Sequence, residues 1–266
     1  MELIDIGINL AHESFEGERP AVIAHARDAG VVQLIVTGAT LVSSEAALAL
    51  ARAHPGRIYA TAGVHPHHAG ELTAGELPRL RALLAEPGIV AAGECGLDYY
   101  RNYSPPAVQR RAFGEQLALS AACARPLFLH QRDAHADFVA ALREHAGALR
   151  GVAHCFTGGE AELDAYLEMG LHIGITGWIC DERRGRHLQT LVARIPAGRL
   201  LLETDGPYLL PRDLKPRPAS RRNEPKYLRH IAALVARLRG ESLEECAAHT
   251  TAAARALFAI AAPPAA

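Results

Sequence analysis

The sequence has no excess of charge of either sign. Its 266 residues include 28 Lys and Arg against 29 Asp and Glu, which gives a formal net charge of −1 at pH 7. This balance excludes a protein that coats nucleic acid or a membrane surface through its overall charge. Any polyanion must therefore be bound by a local cluster of basic side chains.

Paired cysteines, long apolar runs and leader-like segments are also missing. The five Cys residues are odd in number and have no Cys-x-x-Cys spacing, so we expect free thiols and no disulfide framework. No uninterrupted apolar stretch is long enough to cross a bilayer, and the opening MELIDIGINL has no basic region followed by an apolar one. We expect a soluble, cytoplasmic protein without a membrane partner, with a monomer as the default state.

The chain lacks the Ser/Gly-rich linkers that separate domains, so we expect one domain over residues 1–266. Short apolar runs alternate with longer amphipathic stretches along it. The runs span residues 3–8, 31–38, 57–64, 88–93, 126–130, 151–154, 171–176 and 199–204. They are apolar on both faces and bounded by Gly or Pro, which predicts buried parallel strands.

The amphipathic stretches between these runs are typical of helices. Residues 19–30 have a Pro near the start and end in Gly, and residues 104–124 open with Ser104, which we expect to cap the helix. Strand–helix units in a chain near the usual length of about 250 residues predict an α/β fold, a (β/α)8 TIM barrel. A doubly wound open sheet is the alternative. The first run is not followed by Gly-x-Gly-x-x-Gly, which weakens its dinucleotide-binding version.

Metal-ligand side chains follow several of the predicted strands. The residues at the strand ends are Asn9, Gly38, His65, Glu94, His130, His154, Thr176 and Asp205. The C-terminal ends of barrel strands converge on one mouth, which holds the active site of this fold. A single His is more often a hydrogen-bonded structural residue, but the combination of imidazoles and carboxylates suits Zn, Mn, Fe or Mg. The predicted ligands are Glu94, His130, His154 and Asp205.

Residues 212–229 form a basic stretch after the last run. They include seven Lys and Arg residues against two acids. A basic run is usually a solvated face, but three prolines stiffen this one, and Asn223 can cap the helix that follows. We expect an ordered loop in which Arg221 and Arg222 bind phosphate, while Arg101 contacts substrate from the end of the fourth run.

The single Trp of the sequence, Trp178, follows the seventh run and lies near Arg183 and Arg184. A lone Trp more often packs in a core, whereas an exposed one beside basic residues can stack on a nucleic-acid base. The sequence leaves these two alternatives equal.

Several segments resemble the signature sequences of the TatD family of metal-dependent deoxyribonucleases. The segments are DIGIN, TAGVHPHH, GECGLDYYRN, FLHQRDAH, HCFTG, ITGWICDERRG, LLETDGPYLLP and SRRNEPKYL, in the family's order and over nearly the whole chain. The resemblance implies a TIM barrel of the metal-dependent hydrolase type. It also implies Mg²⁺- or Mn²⁺-dependent phosphodiester hydrolysis, with 3′→5′ exonuclease action on single-stranded DNA and RNA left open as a further substrate.

The resemblance also implies roles for individual residues. The family's metal ligands match Glu94, His130, His154 and Asp205, with Asp205 also the candidate general base and Glu94 a second catalytic carboxylate. The match for the family's His near the phosphate is His65. One departure concerns the opening Asp-x-His-x-His motif of most relatives, where this chain has Gly7 and Asn9. With Asn9 as a weaker ligand, we expect one or two ions, a weak first position, and Mg²⁺ or Mn²⁺ in preference to Zn²⁺.

Two other functions are compatible with the sequence. Related barrels use similar His and Asp sets to hydrolyse amides or lactones, and fold alone does not exclude that chemistry. A non-catalytic nucleic-acid-binding protein is the other alternative, since Gly7 and Asn9 remove two imidazoles from the site. The Arg-rich stretch favours a phosphodiester substrate over both.

Overall fold

Eight parallel strands form the centre of the computed structural model, which describes residues 1–144 and 149–263. The strands are β1 (Leu3–Ile8), β2 (Val31–Val36), β3 (Ile58–Ala62), β4 (Ile89–Asp98), β5 (Leu127–Arg132), β6 (Gly151–Ala153), β7 (His172–Ile175) and β8 (Leu200–Leu202). Each strand pairs in parallel with the next one along the chain. The order within the sheet is therefore the order in the sequence, as a (β/α)8 barrel requires.

Helices follow every strand and surround the sheet. They are α1 (Arg19–Asp28), α2 (Leu41–Ala53), α3 (Leu77–Ala85), α4 (Pro106–Cys123), α5 (His135–Glu144), α6 (Glu160–Glu168), α7 (Arg186–Leu191), α8 (Leu228–Arg239) and α9 (Leu243–Phe258). Within the described ranges, no helix combines the length and the apolar character that crossing a bilayer needs.

The seam between β8 and β1 lies just beyond the end of β8. The backbone N–H of Asp205 donates to the carbonyl of Gly7 over 2.7 Å, and that of Asn9 donates to the carbonyl of Gly206 over 2.8 Å. A parallel bridge between Ile8 and Gly206 completes the contact. The sheet thus curls into a barrel, which confirms the predicted fold over the open-sheet alternative.

The apolar residues form two buried clusters. One lies between the sheet and the surrounding helices. The other joins residues from the early parts of the strands, such as Ile4, Val90 and Phe128, to Leu257 and Phe258 of α9. Because α9 packs across the N-terminal ends of the strands, that end of the barrel is closed with apolar side chains. Polar chemistry is left to the opposite end.

Strand β4 ends five residues beyond the predicted run, which ended at Gly93. Gly93 and Gly96 adopt φ angles of 141° and 146°, and a Cβ at either position would collide with the backbone of β5. Glycine therefore does not end this strand but permits its close approach to β5. The extension carries Glu94 and Asp98 on one strand.

Two predicted helix caps are wrong. Helix α4 begins at Pro106 without a side-chain cap, and the Ser104 hydroxyl donates instead to the carbonyl of His67 over 3.2 Å. Helix α8 begins at Leu228, also without a side-chain cap. The Asn223 amide donates to the carbonyl of Thr204 over 2.8 Å, so it fastens the basic loop to the end of β8.

Candidate metal centre

Glu94 is the centre of a cluster of imidazoles at the C-terminal mouth of the barrel. Its Oε1 atom lies 2.7 Å from Nε2 of His154, 3.0 Å from Nδ1 of His130 and 3.3 Å from Nε2 of His65. The carboxylate is 7% exposed. Side chains from the ends of β3, β4, β5 and β6 thus converge on one oxygen atom, as the barrel predicts.

The electrostatics of this cluster favour an ionised carboxylate. Burial opposes the charge on Glu94, but the neighbouring imidazoles of His154 and His65 outweigh it and hold the pKa of Glu94 well below its ordinary value. Burial lowers the pKa of His65 to about 4 despite the attraction of Glu94. For His154 the carboxylates of Glu94 and Glu203 outweigh burial and raise its pKa.

The donor atoms of this cluster fit a metal ion. One ligand atom each from His65, Glu94 and His130 lie within 4.8 Å of one another. The Nε2 atom of His130 is buried and makes no hydrogen bond to the described residues, although Oδ2 of Asp98 lies 3.4 Å away. A buried unpaired nitrogen is costly, and imidazole nitrogen is a common metal ligand. The cluster is therefore suited to bind a cation at the mouth.

Asp98 is a functional candidate on the part of β4 that extends beyond the predicted run. It is 1% exposed, and its Oδ2 atom lies 2.8 Å from Nε2 of His67 and 3.4 Å from Nε2 of His130. Its Oδ1 atom accepts from the N–H of Arg101 over 2.7 Å. Burial raises the pKa of Asp98, but the His130 and His67 contacts outweigh it and lower that pKa strongly. His67 was not among the residues selected from the sequence, although it belongs to the four-residue HPHH motif.

Asp205 lies on the same rim but contacts a different partner. Its Oδ1 atom accepts from the Asn9 side-chain amide over 3.1 Å, and that amide also donates to the carbonyl of Gly206 over 3.2 Å. Burial raises the pKa of Asp205 to about 7, against the attraction of His154. Of the predicted ligands, Glu94, His130 and His154 are thus in direct contact, whereas Asp205 pairs with Asn9.

Glu203 occupies the space beside Gly7 inside the barrel. It is 0% exposed, its Oε2 atom lies 3.3 Å from Nδ1 of His154, and its Oε1 atom accepts from the N–H of Cys155. A Cβ at Gly7 or at Gly174 would collide with this carboxylate. The glycine at position 7 is therefore required by the place that Glu203 takes.

The guanidinium of Arg222 is engaged in ion pairs in the structure. Its guanidinium pairs with Glu18 over 2.8 Å and with Glu224 over 3.0 Å, and its side chain is 18% exposed. Two carboxylates thus engage this cation in the structure, and its role as a phosphate ligand remains a prediction that would require exchange of these partners. Arg221 is exposed, and no ion pair engages it within the part of the chain that the structure describes.

The remaining predicted substrate residues divide between cluster and surface. His65 lies inside the metal cluster, where Nδ1 accepts from the N–H of His67 over 3.1 Å. Arg101 follows β4 and is exposed, and its guanidinium carbon lies 5.9 Å from the ring centre of Tyr100. The structure thus groups His65 with the metal ligands and leaves Arg101 on the rim.

The barrel and its rim of imidazoles and carboxylates define a TIM-barrel hydrolase of the metal-dependent class. The sequence model described as TatD related DNase matches residues 4–259, and the chain belongs to this family. The resemblance seen in the signature segments is thereby confirmed.

Relatives and solved structures agree with this assignment. A protein of Edwardsiella piscicida named 3′-5′ ssDNA/RNA exonuclease TatD is 54% identical over 260 residues, 97% of this chain and 100% of that protein. One of Erwinia amylovora with the same name is 53% identical over 257 residues, 96% and 99% of the two chains. The crystal structure of YjjV, a TatD homologue from Escherichia coli, matches with a TM-score of 0.89 at 28% identity, covering 97% and 98%.

Proposed function

We propose that the protein is a metal-dependent 3′→5′ exonuclease that acts on single-stranded DNA and also on RNA. The names of its relatives and its family support this activity. The observation that carries the proposal is the Glu94 cluster, in which three imidazoles surround one buried carboxylate oxygen. Such a cluster at a barrel mouth is suited to hold a metal ion against a phosphodiester.

The proposed ligands form two neighbouring groups on the rim. One group is nitrogen-rich and consists of His65, Glu94, His130 and His154. The other is oxygen-rich and consists of Asp205 and Asn9. A bound divalent ion supplies charge neutralisation at the phosphate and lowers the pKa of a coordinated water.

The chain's own residues have distinct proposed tasks around such an ion. Asp205, held by Asn9, faces the mouth as a ligand and as the acceptor for the proton of the attacking water. Glu203 fixes the ring of His154 through Nδ1, so that Nε2 points at Glu94. Asp98 orients His67 and the backbone of Arg101 at the substrate side of the mouth.

The ions that we propose are Mg²⁺ or Mn²⁺, one or two per chain. Carboxylate and amide oxygens from Asp205 and Asn9 suit both of these hard cations. We include His65 in the proposed ligand set because one of its ring nitrogens lies within 4.8 Å of ligand atoms of Glu94 and His130, and this increases the share of nitrogen. Because imidazole is a poorer ligand for Mg²⁺, we expect Mn²⁺ to support the higher activity.

We further propose a monomer with one domain over residues 1–266, located in the cytoplasm. The absence of a linker in the sequence and the continuous barrel from β1 to β8 support the single domain. Analytical ultracentrifugation tests the monomer, which a concentration-dependent increase in mass would overturn.

The decisive experiment measures cleavage of single-stranded DNA that is labelled at its 5′ or its 3′ end. The protein is first treated with a chelator, and Mg²⁺, Mn²⁺ or Zn²⁺ is then added back. We expect stepwise shortening of the 5′-labelled strand and immediate release of a mononucleotide from the 3′-labelled strand. A Glu94→Gln variant should lose this activity, whereas Glu182→Gln, an exposed carboxylate change, should keep it. Binding without cleavage in every metal would favour the non-catalytic alternative, and turnover of amides or lactones alone would favour the other hydrolase.

A further inference from the structure

Aromatic rings and arginines alternate on one side of the mouth, next to the metal centre. We name this group the rim stack and define it as Tyr100, Arg132, Trp178 and Arg184. The guanidinium of Arg132 lies 3.9 Å from the ring centre of Tyr100 and 5.9 Å from that of Trp178. Arg184 lies over the same Trp at 4.2 Å. Rings and cations thus form one continuous row.

The row is placed by the same strand ends that build the metal site. Tyr100 stands two residues after Asp98, and Arg132, the last residue of β5, stands two after His130. The N–H of Tyr99 donates to the carbonyl of Arg132 over 2.9 Å, which holds the two segments together. The rim stack therefore lies at the outer edge of the metal cluster, within reach of a strand whose end is bound there.

The exposure of the rings does not fit a core role. Tyr100 is 58% exposed, although burying a ring of this size is favourable. Trp178 is partly exposed, and its indole N–H donates to the carbonyl of Arg184 over 3.3 Å. A fixed indole and an exposed phenol ring beside an active-site mouth are available for contact with a flat partner.

The cations of this region differ from one another in their ionic partners. Arg184 pairs with Asp181 over 2.9 Å. By contrast, within residues 1–144 and 149–263, no carboxylate oxygen lies within 4.0 Å of the guanidinium of Arg132 or Arg101. Uncompensated arginines beside rings attract a ligand that carries negative charge as well as flat aromatic groups.

We propose that the rim stack binds the bases of a single strand a short distance inward of the cleaved 3′ end, with Arg132 and Arg101 on the intervening phosphates. The inference rests on the proposed function, since the strand end is held at the metal centre. Every base has a stacking face, so this subsite is tolerant of sequence. Paired bases do not present those faces, so the subsite favours single strands over duplex.

Trp178 gives a direct readout, because it is the single Trp of the chain. Its fluorescence is followed while a single-stranded oligonucleotide is added to the chelated wild-type protein, and again to the Asp205→Asn protein in Mg²⁺. We expect strong quenching by an oligonucleotide with bases near its 3′ end. An otherwise identical oligonucleotide with abasic residues at the second to fourth positions from the 3′ end should quench weakly.

Matched substitutions separate ring stacking from general charge. Trp178→Leu and Tyr100→Leu should each weaken binding of single-stranded DNA about 5- to 100-fold, whereas Trp178→Phe and Tyr100→Phe should largely restore it. Arg132→Gln should weaken binding and reduce its salt dependence. Arg81→Gln, the same charge change on the exposed face of α3, should do neither.

The outcomes separate this inference from the proposed function. Equal quenching by the abasic oligonucleotide, or unchanged affinity in both Leu variants, would overturn base stacking even in an active nuclease. Base-dependent quenching in a protein that cleaves nothing would uphold the rim stack and refute the proposed catalysis. Circular dichroism of each variant confirms that a loss of binding is not a loss of fold.

Discussion

His154 and Glu203 form a buried pair in which Nδ1 of the imidazole lies 3.3 Å from Oε2 of the carboxylate. The other ring nitrogen lies 2.7 Å from Glu94. An imidazole whose second nitrogen is fixed by a carboxylate has a set orientation and greater basicity as a ligand. We therefore expect Glu203 to set the orientation of His154 in the candidate metal centre.

Glu203→Gln should weaken metal binding about 10- to 100-fold, because the replacement removes the charge that orients His154. Titration calorimetry with Mn²⁺ measures the effect. Glu162→Gln offers a matched control, since Glu162 caps α6 on the outside of the barrel. Equal metal affinity in the wild type and in Glu203→Gln would show that His154 is held by packing alone.

Gly7→Ala should destabilise the protein by about 1–3 kcal/mol, because the added methyl group enters the space of the Glu203 carboxylate. Urea unfolding of the metal-free protein measures the loss. A double variant, Gly7→Ala with Glu203→Ala, should be more stable than the sum of the two single changes predicts. Strict additivity would mean that the two positions do not compete for this space.

Stability should depend on pH through Asp205. Burial raises its folded-state pKa to about 7 from the ordinary value of 3.8, so between these values the folded protein binds more protons than the unfolded chain. Stability therefore falls as pH rises through this window, by up to about 1 kcal/mol per pH unit. Unfolding of chelated protein at pH 5 and pH 7 should show a smaller difference in Asp205→Asn than in the wild type. The same difference in both would place the titration elsewhere.

Arg221→Ala and Arg222→Ala should have different consequences. Arg222→Ala removes the ion pairs with Glu18 and Glu224 and should lower stability by about 1–2 kcal/mol. Arg221→Ala should leave stability unchanged, weaken binding of single-stranded DNA and reduce the salt slope by about one. Thermal unfolding and filter binding at several salt concentrations measure the two effects. Similar losses of DNA affinity in both variants, at full stability, would show that Arg222 also binds phosphate.

Free protein should hold at most one metal ion tightly. Asn9 offers a single amide oxygen and Gly7 no ligand atom, so the second position depends on oxygen atoms from the substrate. Activity should therefore rise with Mg²⁺ into the millimolar range, a rough scale for weak sites of this ion. Calorimetric titration without DNA checks the stoichiometry, and two equally tight sites would contradict the expectation.

The sequence predicted the barrel because each strand is a short apolar run. It predicted the polar residues of the mouth because they directly follow these runs. It placed Glu94, His130 and His154 at one mouth for the same reason. It missed the extension of β4 to Asp98, because the approach of Gly96 to β5 is a long-range backbone contact without a local signal.

The ion pairs of Arg222 were likewise not predicted from the sequence. Its partner Glu224 is only two residues away, but Glu18 lies 204 residues away along the chain, so a count of neighbouring charges misses that second ion pair. The place of Glu203 beside Gly7 is equally non-local. Patterns along the chain thus locate the site, whereas the pairing of its charges depends on the closed barrel.

The seam of the barrel has a consequence for the newly made chain. The hydrogen bonds that join β8 to β1 belong to Asp205 and Gly206 on one side and to Gly7 and Asn9 on the other. During synthesis, a ribosome-bound chain that ends before residue 205 has both an open edge at β1 and no carboxylate for Asn9 to hold. Closing the last edge and pairing Asp205 with Asn9 are then one event, so we expect an incomplete chain to lack the proposed catalytic carboxylate until the barrel closes.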